Sequence, residues 1–311
     1  MLYFFQQFLN GLHMGALYAL LAFGYVLVNG VLHRTNLAHG AIFAFGGQTM
    51  ILIAVFGWQV LWMTLPTTIA FAIAATFAYA ALVGFVLSRN VFEPLAKSSP
   101  NAIVVATLGV LLFLTELARI SAQTHDFWLP PLLSMPVVFA EGAGYKATLT
   151  VIQLLDCAII VVVLAASGFV LARSRFGRDW RAVSDDPAAA AMCGVDTRFV
   201  FRGAVLAGAL TAALAGMLAA LHFGNIGFGS GLVFGLKVLF VTAVGGYRSP
   251  VRAALGALGF GIAESLWSGY FPIEWRDAWM FLLLSAMLVL RFSGRDTLQS
   301  SRPDFQGFPQ R

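Results

Sequence analysis

The chain has 311 residues, of which 59% are hydrophobic and only 11% are charged, and its mean hydropathy is +0.84. Soluble domains carry about a quarter charged residues, so this composition excludes an ordinary soluble protein and predicts an integral membrane protein surrounded by lipid. The net charge of +5 is small, and we interpret it as the basic bias of a membrane protein on its cytoplasmic side, with no nucleic-acid partner.

The apolar segments follow one another along almost the whole chain. A spanning helix needs about 20 mostly apolar residues, and the last of the nine candidate segments is short for that. We therefore predict an all-α integral membrane protein, a polytopic bundle of eight or nine transmembrane helices forming a single domain over residues 1–311. The segments are 8–30, 37–57, 60–88, 101–121, 148–172, 203–223, 231–247, 253–271 and 277–291.

The basic residues give the orientation. With nine crossings and the N-terminus outside, 15 of the 19 Lys and Arg residues lie on the inner side. Cytoplasmic loops are enriched in Lys and Arg, so we predict this orientation, with residues 292–311 as a cytoplasmic tail. The only sizeable outer loop is then 122–147.

Two segments are alike and run in opposite directions in this topology. Residues 15–22 (GALYALLA) and 208–215 (GALTAALA) match at six of eight positions, and each is followed by a short motif, Asn36-Leu-Ala-His-Gly or Asn225-Ile-Gly-Phe-Gly. Inverted repeats are common in membrane transporters, so an inverted repeat is one interpretation. Chance similarity in a chain rich in Ala, Leu and Gly is the other.

One long hydrophilic stretch interrupts the apolar chain on the inner side. Residues 173–202 (RSRFGRDWRAVSDDPAAAAMCGVDTRFVFR) hold six arginines and four aspartates. Asp185 or Asp186 is a good N-cap, Pro187 suits the first helical position, and Ala188 and Ala189 begin a run of helix formers. Gly194 then provides a helix end, so the stretch predicts a short capped helix on the cytoplasmic face.

Two ionisable residues lie inside predicted membrane segments at similar depth. Lys237 and Glu264 are each six or seven residues from the outer end of their segments, so adjacent antiparallel helices would bring them into contact. Ionisable groups in the bilayer are costly, and they either fix helix register or line a solute path. The sequence leaves both roles open.

Other polar residues in apolar segments have less certain roles. Asp156 has no local partner, which implies a hydrogen bond across the bundle or a water-filled cavity. Asn36 can cap the second segment and His39 can hydrogen-bond across the bundle, with gating as the alternative. His13 and His222 are single histidines on apolar helices, and we expect core donors there and no metal ligands.

No catalytic or nucleotide-binding signature is present in the sequence. The phosphate-binding loop G-x-x-x-x-G-K-[ST], the zinc motif H-E-x-x-H and the nucleophile elbow G-x-S-x-G are all missing. We therefore expect neither an enzyme nor a cofactor in this chain. An enzyme remains possible only through residues that have no recognisable spacing.

Three stretches resemble the permease subunits of branched-chain amino acid ABC importers. They are GLHMGALYALLAFGYVLVNGV with NLAHGAIFAFGG, RSRFGRDWRAVSDDPAAAAMCGV, and GLKVLFVTAVGGYRSPVRAALGALGFGIAES. The resemblance implies a multi-pass protein of the bacterial inner membrane. Its partners would be two ATPase subunits that bind ATP, a second homologous permease and a periplasmic or extracellular solute-binding protein. It also implies that residues 173–202 form a coupling loop, in which Ala188, Ala189 and Gly194 contact the ATPase.

The resemblance leaves the solute open among branched-chain amino acids, other amino acids, short amides and urea. It also leaves open whether the two permeases are identical. An ion-coupled secondary transporter with inverted repeats is the main alternative. The absence of several acidic residues near the middle of the membrane argues against that class.

Overall fold

The computed structural model describes residues 1–95, 100–142, 144–246 and 249–299. Within these ranges the chain forms helices and one β-hairpin. A π-helical turn, Leu87–Phe92, follows the helix Leu65–Val86, and a 3₁₀ turn, Ile273–Trp275, precedes the helix Arg276–Gln299. The elements are α1 (Leu2–Leu32), α2 (Ala38–Gln59), α3 (Leu65–Val86), α4 (Glu93–Leu95), α5 (Pro100–Ser121), β1 (Pro136–Gly142), β2 (Tyr145–Thr150), α6 (Val151–Arg173), α7 (Arg175–Asp185), α8 (Pro187–Met192), α9 (Thr197–Phe223), α10 (Ser230–Gly245), α11 (Pro250–Tyr270) and α12 (Arg276–Gln299).

Six helices of the described ranges are long and apolar enough to cross a membrane, which confirms the polytopic helical class. They are α1, α2, α3 with its extension to Leu95, α5, α6 and α9. An apolar but shorter stretch, Ser230–Ala243, forms most of α10, and the last two predicted segments lie on α11 and α12. The total of eight or nine crossings stays a prediction. The predicted tail overlaps the end of α12, and its residues from 300 onward lie outside the described residues.

Helix α1 lies at the centre of the bundle. The most apolar 18-residue stretch of α1 is completely buried, and α6, α9, α10 and α11 pack around this helix. The contact with α11 is the most extensive, because a Cβ atom on Gly261 would overlap the backbone of Gly15. Small residues let helix backbones approach closely. Such packing matters in a membrane, because lipid is as apolar as the helices and the hydrophobic effect does not drive the helices together. The glycines of α1 therefore set how near its neighbours come.

The packing agrees with an inverted repeat. Helices α1 and α9 are antiparallel, since His13 approaches His222 whereas Gly24 approaches Gly208. Around this pair, α2 and α3 pack on α9, and α10 and α11 pack on α1. The chain thus has two halves, α1–α3 and α9–α11. The second and third helices of each half pack on the first helix of the other half. The sequence similarity lies at the centre of that arrangement.

A β-hairpin is an element that the helical prediction did not include. Strands β1 and β2 are antiparallel, with an irregularity between Val138 and Ala140. The hairpin lies at the start of α1, where the Gln6 amide donates to the Thr148 carbonyl at 2.9 Å and accepts from the Thr148 N–H at 2.7 Å. It occupies the region that the sequence assigned to the outer loop.

The two ends of α1 give a direct test of topology. Lys146 is in the hairpin at the first end of this 31-residue helix, and Arg178 is in α7, which packs near the last turns. A helix of that length spans about 46 Å, enough to cross the bilayer. Single cysteines at Lys146 and Arg178, in a chain lacking Cys157 and Cys193, should label with impermeant maleimide from outside and inside respectively. Labelling of both from one side would contradict the orientation.

Close helix approach can be tested by adding one methyl group. At the crossing of α2 and α9, a Cβ on Gly216 would overlap the carbonyl oxygen of Phe43. Because overpacking costs about 1–3 kcal/mol, Gly216→Ala should lower the melting temperature of the detergent-solubilised protein and the yield of monodisperse material. Gly256→Ala on α11, where a Cβ meets no atom within 4 Å, is the control and should leave both unchanged. Equal melting temperatures and yields for the two variants would show that α2 and α9 can move apart at this crossing without loss of stability.

Candidate functional site: a surface helix and a charged cavity

The short helix predicted in the hydrophilic stretch is present. Helix α8 begins at Pro187, and one carboxylate oxygen of Asp186 accepts from the N–H groups of Ala188 and Ala189 at 2.8 and 3.1 Å. Asp186 is therefore the N-cap, and Asp185 is the last residue of α7. Gly194 has φ +80°, a left-handed conformation that costs other residues steric strain.

Helix α8 presents small side chains to the surface. Ala188 and Ala189 are exposed, Met192 is 90% exposed, and Ala190 is buried against the rest of the protein. Only a methyl group on each alanine separates the α8 backbone from an approaching partner. The surface therefore suits a protein that docks closely on this helix.

Helix α7 attaches α8 to the centre of the bundle, and the sequence did not predict it. Trp180 is 2% exposed, and its indole N–H donates to the Leu27 carbonyl of α1 at 3.0 Å. Near the end of α1, His33 Nε2 lies 2.9 Å from the Ser184 carbonyl. The stretch 173–202 is thus more than a solvated loop, because 11 of its residues, Arg175–Asp185, form a helix bound to α1. The large apolar side chain of Trp180 within an Arg-rich sequence was the signal that could have indicated a helix packed on the bundle here.

The two buried charges, Lys237 and Glu264, belong to a network of four residues with Arg276 and Asp277, whose side chains are 34% and 46% exposed. Lys237 Nζ lies 2.6 Å from Glu264 Oε1, the contact expected from their depths, and 2.9 Å from Asp277 Oδ1. Arg276 Nε lies 3.4 Å from Glu264 and 3.3 Å from Asp277. Sequence reasoning missed Arg276 and Asp277 because they begin α12, after a turn whose direction no sequence pattern indicated. Two positive and two negative groups leave the network neutral.

A cavity of about 560 Å³ is bordered by this network. Lys237, Glu264 and Arg276 line one part of it. Aromatic side chains line another part, where Phe43 stacks on Phe234 with ring centroids 4.8 Å apart. The cavity therefore combines a charged wall with an apolar wall inside the bundle.

Asn36 and His39 lie away from that cavity lining and have structural partners. The Asn36 side chain accepts from the Ala38 N–H at 3.1 Å at the start of α2. His39 Nε2 lies 3.0 Å from the Leu21 carbonyl of α1, and its ring packs edge-on to Tyr25. These contacts are the capping and cross-bundle bonds that the sequence suggested.

Asp156 finds its partner across the bundle. His13 Nε2 lies 3.1 Å from Asp156 Oδ2, with both side chains buried, and the His222 ring packs against His13 with centroids 4.3 Å apart. The ligand atoms of the three residues lie within 4.8 Å of one another, so this group could hold a metal ion. The sequence had treated both histidines as separate core donors, because nothing in it brings residues 13, 156 and 222 together.

The charge network should respond cooperatively to mutation. Lys237→Met leaves two acids without their ammonium, and Glu264→Gln leaves Lys237 with one partner fewer. Breaking a buried ion pair from one side costs about 3–5 kcal/mol, so each variant should lower the melting temperature of the purified protein. The double variant should be less harmful than the sum of the two. Strict additivity would show that the residues act separately.

The chain matches the family described as "Branched-chain amino acid transport system / permease component" over residues 7–290. It is 29% identical over 297 residues to the high-affinity branched-chain amino acid transport system permease protein LivH of Escherichia coli K12, covering 94% of this chain and 95% of LivH. The LivH of Salmonella typhimurium has the same identity and coverage. The corresponding permease BraD of Pseudomonas aeruginosa is 28% identical over 296 residues, with the same coverage of both chains.

No solved structure matches the chain. The family match covers most of the sequence and includes α1, the α7–α8 segment and the charge network. The resemblance seen in the sequence motifs is thereby confirmed. The chain belongs to the branched-chain amino acid transport permease family, and it is a membrane-spanning permease subunit of an ABC importer.

Proposed function

We propose that this chain forms part of the translocation pathway for branched-chain or related amino acids across the bacterial inner membrane. The solute class rests on the names of the relatives, LivH and BraD. The observation that carries the mechanism is the α8 helix, which is capped, small-faced and attached through α7 to the central helix α1.

Permeases of this kind work with ATPase subunits and a solute-binding protein. We assign two ATPases to the cytoplasmic face, a second homologous permease to the side of the bundle, and the binding protein to the outer face. ATP is bound by the ATPases, and this chain needs no cofactor and catalyses no reaction. Its own contribution is to exchange outward and inward openings of the pathway.

The proposed coupling runs from α8 to α1. An ATPase that docks on Ala188 and Ala189 would move α8, and α7 would transmit the displacement because Trp180 is bonded to the α1 backbone. Helix α1 contacts α9, α10 and α11, so a shift of α1 changes the packing of most of the bundle. Discrete rearrangements of packed helices are a common way to couple distant sites.

Added bulk on α8 should uncouple the importer. In proteoliposomes containing the complete transporter and its binding protein, Ala189→Trp should reduce leucine uptake and co-purification of the ATPase, because docking requires close approach. Arg178→Ala should be milder, since this exposed side chain donates a long hydrogen bond of 3.4 Å to the Arg173 carbonyl, and such bonds contribute about 1 kcal/mol. Gly194→Trp should also uncouple, but its positive φ adds backbone strain, so Ala189→Trp is the cleaner variant.

Ala172→Trp provides a matched control. Ala172 is an exposed alanine near the inner end of α6 and outside α8, and the same change there should leave uptake and ATPase binding near wild type. Full uptake and ATPase binding by Ala189→Trp would remove the coupling assignment. Failure of the wild-type complex to take up any amino acid would remove the proposed solute class.

A further inference from the structure

We propose that the charged cavity is an intramembrane binding site for one zwitterionic amino acid with an aliphatic side chain. The inference deepens the proposed function and rests on it. Ligand sites typically occupy about 300–1,000 Å³ and are mostly apolar with a few placed polar groups. The cavity, at about 560 Å³ with its charged and aromatic walls, has both properties.

Glu264 supplies the negative charge of the cavity wall. The residue is 5% exposed, and the ion pairs with Lys237 and Arg276 are both made by Oε1. Its other oxygen, Oε2, is closed off from the cavity, and the Tyr18 hydroxyl lies near the carboxylate. Because Glu264 lines the cavity, an α-ammonium group there would pair with its negative charge.

Arg276 supplies a hydrogen-bond donor for the carboxylate of the same ligand. Arg276 lines the cavity and contacts Glu264 and Asp277 through Nε. A guanidinium has five N–H donors and binds carboxylates in a planar, two-point manner. An α-amino acid would thus place its two charged groups on two residues that already adjoin each other.

The charge balance selects the net charge of the ligand. Lys237 and Arg276 offset Glu264 and Asp277, so a zwitterion enters without leaving an uncompensated charge in the bundle. A cationic or anionic solute would add such a charge at a cost of several kcal/mol. Phe43, Phe234 and Val233 form the wall available to the ligand side chain, which favours aliphatic groups over polar ones.

The cavity also lies where a movement of α1 would change its shape. Met14 and Tyr18 of α1 line it, and the Lys237 ammonium lies 6.0 Å from the centroid of the Tyr18 ring. Tyr18 is nine residues from Leu27, whose carbonyl accepts the hydrogen bond from Trp180 of α7. A displacement of α1 would therefore change the cavity wall directly.

Filling the cavity tests the site. Val233 lines it on α10, whereas the adjacent Leu232 is similarly exposed and does not. Because the indole ring would occupy space that the ligand needs, Val233→Trp should reduce leucine uptake by proteoliposomes about tenfold or more. Alanine uptake should fall less than leucine uptake. Leu232→Trp should retain uptake and basal ATP hydrolysis, and co-purification of the ATPase with both variants checks that each complex has assembled.

A second variant tests the charged wall. Glu264→Gln preserves the shape of the side chain and removes its negative charge, so the assembled complex should lose most uptake of leucine. Wild-type leucine uptake by Glu264→Gln, or equal uptake by Val233→Trp and Leu232→Trp, would overturn the site while leaving the proposed function intact. Uptake of urea but of no amino acid by the wild-type complex would overturn both.

Discussion

The rest of the structure depends on how closely other backbones can approach α1. Helices in lipid gain little by hiding apolar side chains from one another, so their association relies on tight packing and on polar contacts. Gly15 admits the backbone of α11, Gly24 admits α9, and Gly30 leaves room for the Trp180 ring of α7. One helix thereby holds together the two halves of the bundle and the α7–α8 segment. Larger residues at these positions would separate all of them.

The same helix brings the cytoplasmic surface and the charged cavity into one mechanical unit. Trp180 binds the α1 backbone at Leu27, and Tyr18 contributes to the cavity wall. These two positions are nine residues apart, about 13 Å along a helix. Because a helix is rigid over that length, a displacement of α1 at Leu27 would also displace the part of the cavity wall that Tyr18 forms. The proposed coupling and the proposed amino acid site therefore depend on one element.

The charge network is expensive for a membrane protein, and its composition suggests why it is retained. Buried ion pairs usually add little net stability, and apolar residues of similar volume often do as well. Lys237, Glu264, Arg276 and Asp277 join three helices, α10, α11 and α12, and they also border the cavity. Three of these residues, Lys237, Glu264 and Arg276, line the cavity, and that position suits them to a binding role in addition to joining helices.

The sequence by itself determined the membrane class, most helices and the short capped helix α8. These follow from local rules, since hydropathy marks a spanning segment and Asp186 caps the helix that starts at its neighbour. It also indicated that Lys237 and Glu264 meet, because depth along adjacent antiparallel helices can be counted. Arg276 and Asp277 were missed, as were α7 as a bound helix and the hairpin. Only the tertiary structure decided that His13 meets Asp156, 143 positions away, and that the charges border a cavity. Such contacts depend on the rotation and packing of whole helices, and the residue pattern of one segment does not specify its neighbours.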